Sequence, residues 1–192
     1  MKIVAITGSI GCGKTYIANI IRSLGYSVYD IDKWVKYLYF KEYFLDTIKK
    51  EFPESFINDK FNKRVLRNIV FNDNDKLKKL ESLIHPFLKQ KLLNLIRKQS
   101  KRNCVIFLDI ALLFEMHWDK YCDYIVLADV DKDIQKNRVM KRDNITEEDF
   151  NKIISVQLDN EFKKKFSTII VDTNKPYGVI KSNIIKFIGN IV

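Results

Sequence analysis

Apolar residues along this chain follow two alternating patterns. Short continuous apolar runs occur at Lys2–Thr7 (KIVAIT), Cys104–Leu108 (CVIFL), Tyr124–Ala128 (YIVLA) and Thr168–Val171 (TIIV). Runs of this length, bounded by turn or charged residues, predict strands buried on both faces. Ser27–Tyr29 predicts one more, second in chain order. Between them the apolar positions recur at helical spacing. Thr15–Leu24 stops at Gly25, a C-terminal helix signal. Two charged helical segments follow at Asp131–Arg142 and Thr146–Lys165, and Tyr177–Ile188 closes the chain. From Lys33 to about Arg102 the pattern is mostly helical, with breaks expected near Pro53 and Pro86. Five strands separated by helices predict an α/β fold with a parallel sheet. The helical stretch between the second and third strands is too long for a minimal crossover, so it predicts an inserted substrate-binding subdomain. No internal repeat, low-complexity tract or Gly/Ser linker interrupts the pattern.

At 192 residues the chain has room for one domain with such an insertion. No uninterrupted apolar stretch reaches the roughly 18 residues of a membrane span. The apolar N-terminal run is too short for a signal peptide, so a cytoplasmic location is expected. Cys12, Cys104 and Cys122 are far apart and odd in number, and the histidines are only His85 and His117. This usage argues against a disulfide framework and a zinc site, and it fits a reducing compartment. The net charge of +10 has two readings. It is either solvated lysine on helix faces or a field that attracts polyanionic nucleotides. The lysines are dispersed, without the aromatic-basic pattern of RNA-binding modules, so no nucleic-acid partner is expected.

Gly8-Ser9-Ile10-Gly11-Cys12-Gly13-Lys14-Thr15 satisfies GxxxxGK(S/T) between a predicted strand and a predicted helix. Glycines let successive backbone N–H groups turn inward onto phosphate oxygens, and the helix start adds partial positive charge. Lys14 is long enough to reach β- and γ-phosphates, and the Thr15 hydroxyl can ligate Mg²⁺. A P-loop enzyme that binds ATP is therefore expected. Asn174-Lys175-Pro176-Tyr177 begins like a guanine-reading NKxD but lacks the Asp, and no DxxG switch is present. A GTPase is thus disfavoured.

Other positions keep two readings from spacing alone. Asp30 and Asp32 flank Ile31 after the second strand. If the strand persists they share a face, where a carboxylate can take a proton or hold Mg²⁺ through water; the other reading is a helix cap. Asp109 ends an apolar strand, either as a Walker-B-like acid or as a strand-end cap. Glu115 ends Leu112-Leu113-Phe114-Glu115 as a pocket residue or a surface anchor. Arg138 and Arg142 lie one helical turn apart, either as phosphate-neutralising groups on a lid or as surface charge. His85 before Pro86 reads more readily as a helix-end residue than as a catalyst.

Taken in order, the motifs resemble the dephospho-CoA kinase family over nearly the whole chain. They are Thr7–Thr15, Asp30-Ile31-Asp32, Leu66–Phe71 (LRNIVF), Leu80–Pro86 (LESLIHP), Ala111–Glu115 (ALLFE), Gln135–Asp143 and Gln157–Lys163. The phosphate loop is widely shared, whereas the ordered set is far more specific. The resemblance implies a P-loop NTPase core from 1–32 and 103–192. It also implies a mostly helical acceptor subdomain at 33–102 and a lid at about 131–165. It implies transfer of the ATP γ-phosphate to the ribose 3′-hydroxyl of dephospho-CoA, by a monomer or small homo-oligomer. Asp32 then becomes the favoured base, and Lys14, Arg138 and Arg142 the phosphate-facing cations. Asp30, His85 and Glu115 become acceptor-pocket residues, and Thr15 the Mg²⁺ ligand. Three positions depart from the family pattern. Ser9 replaces a glycine, Ala111 replaces a proline, and Asp172-Thr173-Asn174-Lys175 replaces an Asn-x-Gly near the adenine. No adenine contact is carried onto any one of those four residues.

Overall fold

The computed structural model describes residues 1–101 and 103–192. Arg102, the expected limit of the helical stretch, lies outside the described residues. The chain divides into two compact units, one made of 1–30 with 97–192 and the other of 31–96.

The first unit is built on a parallel sheet of β1 (Lys2–Thr7), β2 (Val28–Asp30), β5 (Val105–Asp109), β6 (Tyr124–Asp129) and β7 (Ile169–Asp172). Their spatial order is β2-β5-β1-β6-β7. All five strands expected from the apolar runs are present, each within a residue or so of its expected bounds. The central strands β1 and β5 are buried almost throughout, as a sheet covered on both faces requires. Val4, Ile6, Phe107 and Val126 from the strands share one apolar core with Ile17 and Ile21 of α1 (Lys14–Ser23). Ile180, Ile184 and Ile188 of α9 (Tyr177–Ile191) complete that core.

Three further helices lie between β6 and β7: α6 (Lys132–Asp143), α7 (Glu147–Ser155) and α8 (Asn160–Lys165). The expected continuous segment at Thr146–Lys165 is two helices, because each has its own N-terminal cap. Thr146 and Asp149 form a reciprocal capping box on α7, while the Asp159 side chain accepts from Glu161 N–H on α8.

The second unit contains α2 (Ile31–Leu38), α3 (Glu42–Glu51), α4 (Lys63–Phe71) and most of α5 (Asn74–Gln99). Pro53 opens a short 3₁₀ turn, an acceptable site for a residue without an N–H. Pro86, in contrast, does not end a helix but sits inside α5. Leu80, Ile84, Leu88 and Leu92 repeat every four residues and are all buried. Burying that stripe outweighs the roughly 3 kcal/mol cost of an interior proline. The unit also holds a hairpin, β3 (Phe56–Ile57) with β4 (Lys60–Phe61), that the helical pattern did not predict. Its turn residues Asn58 and Asp59 both have positive φ, the geometry of a two-residue turn matched to strand twist.

Candidate functional site

The loop between β1 and α1 lies at the carboxyl edge of the sheet, where parallel α/β folds bind ligands. All three of its glycines have positive φ, Gly8 and Gly13 among them. Gly8 has φ +146°, and a Cβ there would lie 2.6 Å from the Ala128 carbonyl oxygen on β6. Gly13 has φ +89°, and a Cβ there would lie 2.8 Å from the Thr173 side chain. A side chain at either position would push the loop off its neighbours. Helices α4, α6, α7 and α8 are capped by Asn62, Asp131, Thr146 and Asp159 side chains. Helix α1 starts at Gly13 with no side-chain cap and no acid in its first turn. Its N-terminal partial positive charge thus faces neither a side-chain cap nor a first-turn acid.

Side-chain amides hold the first half of the loop. Gln157 Oε1 accepts from Ile10 N–H at 3.0 Å, and Gln135 Nε2 donates to the Ile10 carbonyl at 2.7 Å. Asn160 Oδ1 accepts from the Ser9 hydroxyl at 2.9 Å, while Asn160 Nδ2 donates to Asp129 Oδ1 at 2.7 Å. Ser9, the departure from glycine, thus has a use: its hydroxyl fastens the loop to the first residue of α8. Cys12 is buried beneath the loop, and burial pushes its thiol up to about 11 despite a hydrogen bond from Asn160.

Lys14 Nζ lies 2.6 Å from Asp109 Oδ1 at the end of β5, and Asp109 is buried. The acid at the end of β5 thus pairs with the lysine of the loop. Asp30 is the register partner of Asp109 on β2, so the two acids stand side by side on one face of the sheet. The strand ends at Asp30, however. Asp32 falls in the first turn of α2, so strand alternation does not place the two together. Asp32 and His85 belong to the helical unit, and His85 sits within α5 rather than between helices.

Arg138 and Arg142 both lie on α6. Arg138 donates to the Thr173 hydroxyl at 2.9 Å and to the Thr173 carbonyl at 3.2 Å. Arg142 is exposed and chelates Asp143 through Nε at 2.8 Å and Nη2 at 2.7 Å, which raises its pKa further. Glu115 Oε1 accepts from Leu158 N–H at 2.8 Å and lies 3.0 Å from Lys163 Nζ. These contacts tie Glu115 to Leu158, just before α8, and to Lys163 on α8 itself. Thr173 and the amide side chains of Gln157 and Asn160 escaped the sequence reading. Gln157 was visible only as part of a motif, and its partner Ile10 is 147 positions away.

The dephospho-CoA kinase family matches residues 2–177 of the chain. The chain belongs to the dephospho-CoA kinase family. It is 38% identical over 178 residues to a dephospho-CoA kinase of Bartonella henselae, covering 91% of this chain and 90% of that protein. A dephospho-CoA kinase of Borreliella burgdorferi is 36% identical, with 99% and 94% covered. Among solved structures, TT1252 of Thermus thermophilus superposes with a TM-score of 0.87 at 28% identity, over 97% of this chain and 95% of that one. Dephospho-CoA kinase from Campylobacter jejuni superposes with a TM-score of 0.71 at 28% identity, over 100% and 98%. A shikimate kinase of Acinetobacter baumannii, at 13% identity and a TM-score of 0.53, shares the P-loop kinase fold alone. The loop Gly8–Thr15, Asp109 and the arginines of α6 all fall within the span that the family matches.

Proposed function

We propose that this chain transfers the γ-phosphate of ATP to the ribose 3′-hydroxyl of dephospho-CoA, giving ADP and coenzyme A in the last step of its synthesis. The observation that carries the reading is the family match across residues 2–177, on a chain whose phosphate loop meets an uncapped helix start.

The loop amides and Lys14 bind the β- and γ-phosphates, and Arg138 and Arg142 neutralise the charge that develops during transfer. Asp32, at the helix start immediately after β2, takes the proton of the 3′-hydroxyl as its oxygen bonds to the γ-phosphorus. The bond from that phosphorus to the β-bridging oxygen breaks, and ADP leaves with the electron pair. Asp30 and His85 serve the acceptor. Glu115 supports the same pocket through the turn it anchors rather than by a direct charge on the substrate. The segment at 131–165 acts as the lid that excludes water.

Oxygen donors suit Mg²⁺, and the exposed Thr15 hydroxyl with the carboxylates at the ends of β2 and β5 supplies them. Held there with ATP, Mg²⁺ would supply positive charge to neutralise the phosphates. Thr15 would be its direct protein ligand. Among the described residues no cluster of three or more acidic, His or Cys side chains forms a metal cage. A magnesium ion that keeps its waters and rides on phosphates needs none.

No described helix is long and apolar enough to cross a membrane. The proposed enzyme acts in the cytoplasm on two small molecules, as a monomer or small homo-oligomer, without a nucleic-acid partner.

The test is ADP release from ATP and Mg²⁺ with and without dephospho-CoA, in wild type, Lys14→Ala and Asp32→Asn. Release that needs dephospho-CoA, is lost in Lys14→Ala, and is lost in Asp32→Asn with ATP binding intact supports the reading. ATP binding without stimulation by dephospho-CoA overturns the acceptor. Unchanged turnover in Asp32→Asn removes it as the base.

A further inference from the structure

Thr173 follows β7 directly and is buried, at 6% exposure. Its backbone N–H donates to the Asp129 carbonyl at 2.9 Å, which fixes it to the end of β6. The side chain then meets two parts of the site. The hydroxyl donates to the Cys12 carbonyl of the phosphate loop at 2.8 Å. The same oxygen accepts from Arg138 Nη1 at 2.9 Å, and the Thr173 carbonyl accepts from Nη2 at 3.2 Å. Neither bond can reverse. A carbonyl only accepts and a guanidinium only donates, so the single hydroxyl proton must go to Cys12 and a lone pair must take Arg138. Gly13 lacks the Cβ that would collide with this side chain, so loop and threonine fit as one joint.

We propose that Thr173 is a positioning residue for phosphoryl transfer, its hydroxyl orienting both the Cys12–Gly13 peptide of the phosphate cradle and the guanidinium of Arg138. Because a trans peptide points its C=O and N–H in opposite directions, drawing the Cys12 carbonyl onto Thr173 turns the Gly13 N–H away from it. That N–H becomes a cradle donor for phosphate. Meanwhile the two-point grip sets the plane of Arg138, a planar group whose usefulness depends on its aim. One hydroxyl thereby ties the position of the nucleotide to that of the charge that neutralises it. The arginine half rests on the reading that Arg138 serves phosphoryl transfer.

The experiment compares kcat, KM for ATP and thermal stability in wild type, Thr173→Val, Thr173→Ser, Arg138→Ala and Thr173→Val/Arg138→Ala. Valine keeps the shape and removes the hydroxyl, while serine keeps the hydroxyl. The expected result is a kcat lowered about tenfold or more and a raised KM for ATP in Thr173→Val. Thr173→Ser should return to within about threefold of wild type, and the loss of kcat from Thr173→Val should shrink in the Arg138→Ala background. Wild-type kinetics in Thr173→Val overturns the proposal. Equal impairment in serine and valine also overturns it, because packing rather than the hydroxyl would then matter. Full additivity with Arg138→Ala overturns the arginine half. Wild-type turnover in Arg138→Ala refutes the role of Arg138 itself, and is read separately from the ATP affinity of Thr173→Val, which tests the loop half.

Discussion

Glu115, just after the third apolar strand of the sequence, and Lys163, in the helix before the last strand, meet beneath the site with Oε1 and Nζ 3.0 Å apart. Lys163 is fully buried and Glu115 nearly so. The contact is close but poorly aligned: Nζ has no hydrogen-bond partner, and neither has Glu115 Oε2. Proximity of charge rather than hydrogen-bond geometry holds the pair, so each partner is costly without the other. Lys163→Met should lower stability by about 3–5 kcal/mol, because it leaves a buried carboxylate uncompensated. Glu115→Gln/Lys163→Met should recover most of that loss, since the amide still accepts Leu158 N–H. Urea unfolding of the two variants checks this; a double variant as unstable as the single one would deny the pair its coupling.

Asn160 joins the phosphate loop to β6 by accepting from Ser9 and donating to Asp129. Asn160→Ala should raise KM for ATP several-fold, because a loosened cradle must be ordered by the nucleotide itself. Ser9→Gly removes one strand of the same fastening and should cost about 1 kcal/mol or less. Steady-state kinetics over a range of ATP concentrations measures both. An unchanged KM in Asn160→Ala would mean that the loop keeps its shape without the strap.

Asp109, which is buried, and Lys14, which is partly so, form a second ion pair, 2.6 Å apart. Asp109→Asn retains the size of the side chain and removes the charge that aims the ammonium. Turnover should fall about tenfold or more. Lys14→Ala should lose roughly 10³-fold. A coupled ADP-release assay compares them, and equal turnover in Asp109→Asn and wild type would separate the aiming of Lys14 from the carboxylate charge.

The cysteines predict both reactivity and a pH dependence. Cys104 is exposed, whereas burial pushes Cys12 up to about 11 and Cys122 up to about 12. A thiol reagent at pH 8 should therefore label Cys104 in the native protein and spare the other two. An unfolded thiol ionises near 9.0, while Cys12 in the fold keeps its proton to higher pH. The stability this provides is complete below about pH 9 and is lost as pH rises towards 11. Urea midpoints at pH 8 and pH 10.5 test the trend, which should be shallower in Cys12→Ala.

The hairpin at Phe56–Phe61 and the unbroken α5 show where sequence reasoning stopped short. The helical reading of this stretch has no place for the turn at Asn58 and Asp59, where both residues take positive φ. Pro86 read as a break because local chemistry disfavours it. The buried stripe from Leu80 to Leu92 carries the helix through, and that energy belongs to packing rather than to Pro86 or its neighbours. For Asp30 and Asp32, period-two alternation needs a strand that runs to Asp32, and β2 ends two residues earlier.

What the sequence by itself determined were the features carried by strong local patterns. The strands, the loop Gly8–Thr15 and the helix it opens are local, because backbone conformation and short-range periodicity carry them. The ordered motifs likewise identified the family. Only the tertiary structure decided which distant side chains complete the loop. Asn160, Gln157, Gln135 and Thr173 reach it from 125 or more positions away, and Lys14 finds Asp109 across 95. Such partners have no periodicity of their own. They are brought together by the order in which the strands pair, β1 between β5 and β6 with β7 beyond, and that order is a property of the folded sheet.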